Sequence, residues 1–91
     1  MEFDWDEAKD AANRTKHGVS LGQAALLDWA KAQERPDFRF DYAEPRTAAV
    51  APLSGRLYVC IFAMRGDVHR VISLRKANLR EERRYEQTRS K

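Results

Sequence analysis

Leu57-Tyr58-Val59-Cys60-Ile61-Phe62-Ala63-Met64 leads through Arg65-Gly66-Asp67 into Val68-His69-Arg70-Val71-Ile72-Ser73-Leu74. The first run is apolar at odd and even positions alike and rich in β-formers, the pattern of a strand covered on both faces. The second is shorter and mixed, and the glycine between them supplies turn chemistry. A hairpin follows, with Leu57 to Met64 as the central strand of a sheet and Val68 to Leu74 as the last strand. Alternation along the last strand sets His69, Val71, Ser73 and Arg75 on one face, with Arg70 and Ile72 on the other.

Upstream, Pro52-Leu53-Ser54-Gly55 reads as a turn, and Thr47 to Ala51 as the strand before it. Phe38, Phe40 and Tyr42 alternate with Arg39 and Asp41 as in a half-buried strand, which Ala43-Glu44-Pro45 then turns. Phe3 and Trp5 open a short N-terminal strand. Asp6 is placed to N-cap a helix from Glu7 to Lys16, where Ala8, Ala11, Ala12 and Thr15 recur at helical spacing and Gly18 closes the end. Ser20-Leu21-Gly22-Gln23 forms a capping box, with Val19 and Ala24 at the staple positions. It starts a second helix, Leu21 to Ala32, burying Leu21, Ala24, Ala25 and part of Leu27 or Trp29. Asn78 and Glu81 start the last helix, Leu79 to Thr88, whose apolar residues are Leu79 and Tyr85. The order β-α-α-β-β-β-β-α is an α+β arrangement, with helices on a largely antiparallel twisted sheet.

At 91 residues the chain is one domain, residues 1–91, too short for a separate cofactor-binding half. No apolar run approaches the ~18 residues of a membrane span, and the acidic start Met1-Glu2-Phe3-Asp4 is unlike a signal peptide. The lone Cys60 has no internal disulfide partner, so a cytoplasmic setting is expected. With two histidines and one cysteine, a His/Cys zinc site is excluded and no cofactor is expected, while a carboxylate-bound magnesium stays open. Net charge is +3, but unevenly placed: residues 64–91 hold nine basic and four acidic side chains, the rest eight and ten. A basic end on a near-neutral body points to an anionic partner, nucleic acid first, or to a solvated tail.

The segments Phe3-Asp4-Trp5-Asp6-Glu7-Ala8-Lys9, Asn13 and Lys16-His17-Gly18-Val19-Ser20 resemble the opening of BrnT toxins. Asp41-Tyr42, Glu44, Arg46, Gly55-Arg56, Arg65-Gly66 and the block Arg70-Val71-Ile72-Ser73-Leu74-Arg75-Lys76-Ala77-Asn78 with Arg80-Glu81 are similar to the rest of that family's pattern. The stretch Trp29 to Pro36 is least like it. The resemblance implies a type II toxin–antitoxin toxin of RelE-like ribonuclease fold that inhibits translation. It also implies a hetero-oligomer with a BrnA-like ribbon-helix-helix antitoxin, through which operator DNA is bound and the operon repressed.

Metal-free RNA cleavage needs a base for the attacking 2′-hydroxyl, an acid for the departing 5′-oxygen and cations for the transition state. Guanidinium groups fit the last task, since their planar fork matches phosphate oxygens. Arg65, in the turn, and Arg75, at the strand end, either share an anion pocket, a role the family resemblance supports, or each only solvates a strand end. His17 has an unperturbed pKa near neutrality and is the obvious proton-transfer group, yet it equally reads as a cation closing a helix C-terminus. Glu44 is either a base or an orienting partner for Arg46. Lys16, Arg46, Arg70 and Lys76 are candidate RNA contacts, and His69 is either a proton donor or an ordinary surface histidine of the strand. Arg80, Arg83 and Arg84 continue the basic stripe from Lys76, as an RNA or antitoxin surface or as a solvated helix face. Two readings compete with the nuclease: a non-catalytic basic nucleic-acid-binding module, and a degenerate toxin acting only as co-repressor.

Overall fold

The structure, a computed structural model, describes residues 1–39 and 43–89. Its frame is the expected hairpin. Strands β4 (Arg56–Arg65) and β5 (Val68–Lys76) pair antiparallel about Gly66, which takes the left-handed region at φ 61°. β3 (Thr47–Leu53) pairs with β4 through Ser54 and Gly55, both at positive φ (50° and 78°), the primed turn whose twist suits two-residue hairpins. The strand therefore runs on to Leu53, leaving a tighter turn than expected.

β2 (Gln33–Pro36) lies antiparallel to β3, and β1 (Glu2–Asp4) parallel to β5, giving the order β1-β5-β4-β3-β2 with β4 at the centre. β2 pairs upstream of the strand expected from Phe38, on an edge that tolerates Pro36. Phe38 lies beyond its end, and Phe40, Asp41 and Tyr42 fall outside the described residues.

β5 contains a bulge. Ser73 lies opposite Ile61 but Val71 opposite Phe62, so Ile72 is the extra residue. Simple alternation fails across it. His69 and Val71 share a face with Phe62, and past the bulge it is Leu74, opposite Cys60, that stays on this face. Arg75, opposite Val59, joins Arg70 and Ile72 on the other. The expectation that His69 and Arg75 share a face is thus corrected.

Helix α1 (Glu7–His17) begins where the Asp6 carboxylate accepts from Lys9 N at 3.0 Å and ends at Gly18, φ 74°. Its buried side is polar. Asp10 accepts from Leu21 N at 2.7 Å and Ser20 Oγ at 3.0 Å, while Ala8, Ala11, Ala12 and Thr15 face solvent. The second helix is not an α-helix but two short 3-10 helices, Leu21–Leu26 and Trp29–Lys31. The capping box forms, with Gln23 Oε1 accepting from Ser20 N at 2.9 Å. The buried set, however, is Leu21, Ala24 and Leu27, with Ala25 exposed. A three-residue repeat suits three residues per turn rather than 3.6.

These elements cover one face of the sheet, packing Val19, Leu21, Ala24 and Leu27 on Ala49, Ala51, Cys60, Phe62, Val71 and Leu74. Burial pushes the Cys60 thiol up to about 12. The other face carries Val59, Ile61 and Ala77 with Ala48, Val50, Leu57 and Ile72. Helix α2 (Leu79–Arg89) is tied to the body by Tyr85, buried, whose hydroxyl donates to Lys31 O at 2.7 Å. Leu79, expected to dock it, is instead 60% exposed. Among the described residues, no helix is long and apolar enough to cross a membrane.

Candidate active site

β1 reaches only to Arg70 along the outer edge of β5. Beyond it Asn13 of α1 takes the place of a strand: its Nδ2 donates to Leu74 O at 2.8 Å and its Oδ1 accepts from Leu74 N at 3.2 Å. A second Nδ2 bond, 2.9 Å to Val19 O, ties down the chain after the helix. This lateral clamp brings the last turn of α1, with Lys16 and His17, beside the end of β5. The His17 pKa is held below its usual value by burial first, then by the positive charges of Lys16 and Arg75. At neutral pH it is an imidazole able to accept a proton, not the cation that a helix C-terminus favours.

Arg75 projects on the opposite face from Leu74. Its Nη1 and Nη2 donate to the two carboxylate oxygens of Glu81 at 2.8 Å each, and Nη1 also reaches Lys76 O at 3.3 Å. Glu81 is itself fixed by the capping box that opens α2: it accepts from Asn78 N, and Asn78 accepts from Glu81 N, both at 2.9 Å. The Arg75 hydrogen bonds hold the Glu81 carboxyl below its usual range, and those same bonds raise Arg75. Both stay charged, which makes Glu81 a poor proton shuttle. Among the described residues, the Nε–H and the second Nη2–H of Arg75 make no hydrogen bond and remain for a ligand.

Next to Arg75 the sheet face is hollow. Ala48, Val50, Val59 and Ile61 floor a cavity of about 420 Å³ rimmed by Arg35, Pro36, Asp37, Phe38, Arg39, Arg75 and Glu81. Asp37, buried, receives Arg39 Nε at 2.9 Å and Nη2 at 3.2 Å, and the Arg39 charge acts on both Glu81 and Arg75. Three guanidinium groups thus ring an apolar floor. Sequence reasoning singled out only Arg75 among them. Arg39 passed as the solvent side of a strand, and Arg35 lay in the segment least like the family.

The remaining candidates are spread more widely. Arg65 lies opposite Val68, six residues along β4 from Val59, so Arg65 and Arg75 sit ~20 Å apart at opposite ends of the hairpin. The expected pocket between them does not form. Arg65 donates instead to Glu44 at 3.2 Å, so Glu44 also lies at that far end. Arg70, between the two ends and on the same face, pairs with Asp4 at 3.3 Å. Arg46 is half-buried, its carbonyl accepting from Asp37 N at 2.9 Å. Lys76 is exposed. His69 stands on the other face, its ring centroid 5.2, 5.6 and 4.9 Å from those of Phe3, Trp29 and Phe62, remote from a proton-donor role beside Arg75. Arg80, Arg83 and Arg84 line the outer side of α2 with Leu79 and Gln87.

Anchored guanidinium groups about an apolar hollow can hold a phosphodiester chain, and the neutral imidazole beside the end of β5 can accept a hydroxyl proton. No curated protein is similar enough to count as a match. A family model, that of the ribonuclease toxin BrnT of type II toxin–antitoxin systems, matches residues 5–81 and so spans every group from His17 to Glu81. With all but the first four and last ten residues matched, the chain belongs to this family of ribonuclease toxins.

Proposed function

We propose that the protein cleaves RNA without a metal ion, with His17 as general base and Arg75 stabilising the transition state. The observation that carries this is that Arg75, anchored by the Glu81 carboxylate on the rim of the hollow, lies near enough to the half-buried His17 for its charge to help hold that pKa down. His17 takes the proton of a 2′-hydroxyl, the oxygen attacks the adjacent phosphorus, and the 5′-oxygen leaves with a proton from solvent. The products are a 2′,3′-cyclic phosphate and a 5′-hydroxyl. Arg75 meets the phosphorane oxygens through its remaining N–H groups. Lys16, Arg46 and Lys76 contact flanking phosphates, and Arg65 and Arg70 extend the track along the sheet. Glu44 serves by orienting Arg65 rather than as the base.

In this reading the toxin has the RelE-like fold, acts in the cytoplasm and stops translation by destroying messenger RNA. A BrnA-like ribbon-helix-helix antitoxin neutralises it and carries it to operator DNA. One observation favours the rival, a basic module that binds without cutting: Glu81 gives Arg75 a structural task as the anchor of α2. The two readings part on a short RNA incubated in EDTA with antitoxin-free protein. The nuclease yields cyclic-phosphate ends, and His17→Gln slows it by about 10²- to 10⁴-fold while the fold persists. Intact RNA, with and without ribosomes, ends the nuclease reading. Cleavage that disappears only in EDTA ends its metal independence.

A further inference from the structure

We infer that the hollow beside Arg75 is a base-binding subsite in which Phe38 stacks on one unpaired nucleobase of the RNA. The inference rests on the reading of this face as the RNA site and adds which part of the ligand enters it. Phe38 is 85% exposed, the most exposed large apolar side chain among the described residues. It is held there by a fixed turn: Asp37, buried, accepts from both the backbone N (3.3 Å) and the Nε (2.9 Å) of Arg39, so the residue between them projects from the rim. The hollow falls within the range of small-ligand sites, at about 420 Å³.

Its chemistry is divided as a nucleotide is divided. The floor is aliphatic, suited to the flat face of a base, and the rim sets Arg35, Arg39 and Arg75 against the carboxylates of Asp37 and Glu81, a net charge of +1 for the phosphates on either side. Aromatic stacking next to a basic track is how single strands are held without strict sequence readout. A paired base inside a duplex cannot reach such a floor, so the subsite selects unpaired RNA. A protein partner also favours exposed aromatic groups, but Arg35, with no ion pair found among the described residues, and the remaining N–H groups of Arg75 offer contacts suited to phosphate oxygens.

The test uses the full-length protein and a short single-stranded RNA with 2′-O-methyl riboses, which cannot be cut. An abasic residue is moved along it one position at a time, and affinity is read by fluorescence anisotropy. One abasic position is expected to weaken binding by about 5- to 100-fold, the range found for single base–aromatic stacks. Phe38→Ala is expected to produce the same loss on the intact strand and no further loss on that abasic strand, whereas Phe38→Trp restores binding. An unchanged melting temperature is expected for both variants, since Phe38 is outside the core. Unchanged RNA affinity in Phe38→Ala overturns the proposal, and so does a loss confined to antitoxin binding or one of equal size on every abasic strand. If Phe38 matters for binding yet the unmodified strand is never cut, the subsite stands and the nuclease reading falls. If the unmodified strand is cut but Phe38 is irrelevant, the reverse holds.

Discussion

Replacing Asn13 by Ala should cost this protein a large part of its stability, although the residue contributes nothing to the hydrophobic core. Its side chain, 6% exposed, makes three hydrogen bonds: 2.9 Å to Val19 O, 2.8 Å to Leu74 O and 3.2 Å from Leu74 N. Each is worth roughly 1 kcal/mol net, and a buried group left without a partner costs about 1–3 kcal/mol. Water entering the gap would satisfy part of this, so the expected loss is about 2–4 kcal/mol. Out of a total near 5–15 kcal/mol, that lowers the melting temperature by on the order of 15 °C. Urea unfolding should show a lower midpoint at unchanged slope.

Asn13→Asp sharpens the test, because it keeps shape and volume but reverses two of the three bonds. Its carboxylate can still accept from Leu74 N, while facing the carbonyls of Val19 and Leu74 with no proton to donate. It should lose at least as much as Asn13→Ala at pH 7 and regain part of the loss once protonated at low pH. A loss under 1 kcal/mol for both variants would refute the claim that Asn13 acts as a substitute strand along β5. The same substitutions should disturb the site. With the clamp gone, His17 should lose its burial first and the field of Arg75 with it, so that its titration, followed by NMR, shifts back toward 6.5.

Three further outcomes are expected. Because His17 has its pKa lowered on folding, the unfolded chain binds more protons below about pH 6.5, so His17 erodes stability as pH falls from there and has no effect above it. His17→Gln should remove that part of the pH dependence of urea unfolding, and wild-type cleavage should climb with pH through the His17 titration to a plateau at neutrality. Glu81→Gln keeps a capping group but loses the charge that meets Arg75, for a cost of roughly 1–3 kcal/mol. In the wild type the Glu81 contribution is complete above pH 4.5 and lost as pH falls through its depressed folded value, so the variant's deficit should vanish in acid. Cys60, with its thiol pushed up to about 12, should resist a disulfide exchange reagent at pH 8 until denaturant is added.

The strands of this fold are more legible in the sequence than its helical layer, and the reason is chemical. Runs such as Leu57–Met64 announce burial because their side chains are large and apolar. Helix α1 announces nothing of the kind. Its alanines recur at helical spacing because alanine favours helices anywhere, and they lie in solvent. The side that docks is Asp10 and Asn13, whose role depends on backbone groups of Leu21 and Leu74, the latter 61 residues away. A capping box at Ser20 likewise fixes where a helix starts and not its pitch. That was decided by the spacing of Leu21, Ala24 and Leu27. Of the site, His17 and Arg75 were readable as chemistry, but their proximity was not. The places of Arg39 and Phe38 on the rim of the hollow are hidden by an alternating pattern that reads as a strand.

The bulge at Ile72 is the backbone event on which the site depends. The core face requires both Val71 and Leu74, 1% and 0% exposed, and three residues cannot separate two inward positions of a regular strand. In a regular strand either Leu74 leaves the core with Arg75 taking its place, burying a guanidinium against Asn13 and Leu21, or the whole register slips. One extra residue resolves the conflict: Leu74 turns inward and Arg75 emerges over the apolar hollow, facing Glu81. The trace in the sequence is the spacing Val71-Ile72-x-Leu74, apolar where a period of two demands a gap. Deleting Ile72 should therefore abolish folding or, if a fold survives, remove Arg75 from the sheet's open face and RNA binding with it. A variant that keeps both would show that the placement of Arg75 does not depend on the bulge.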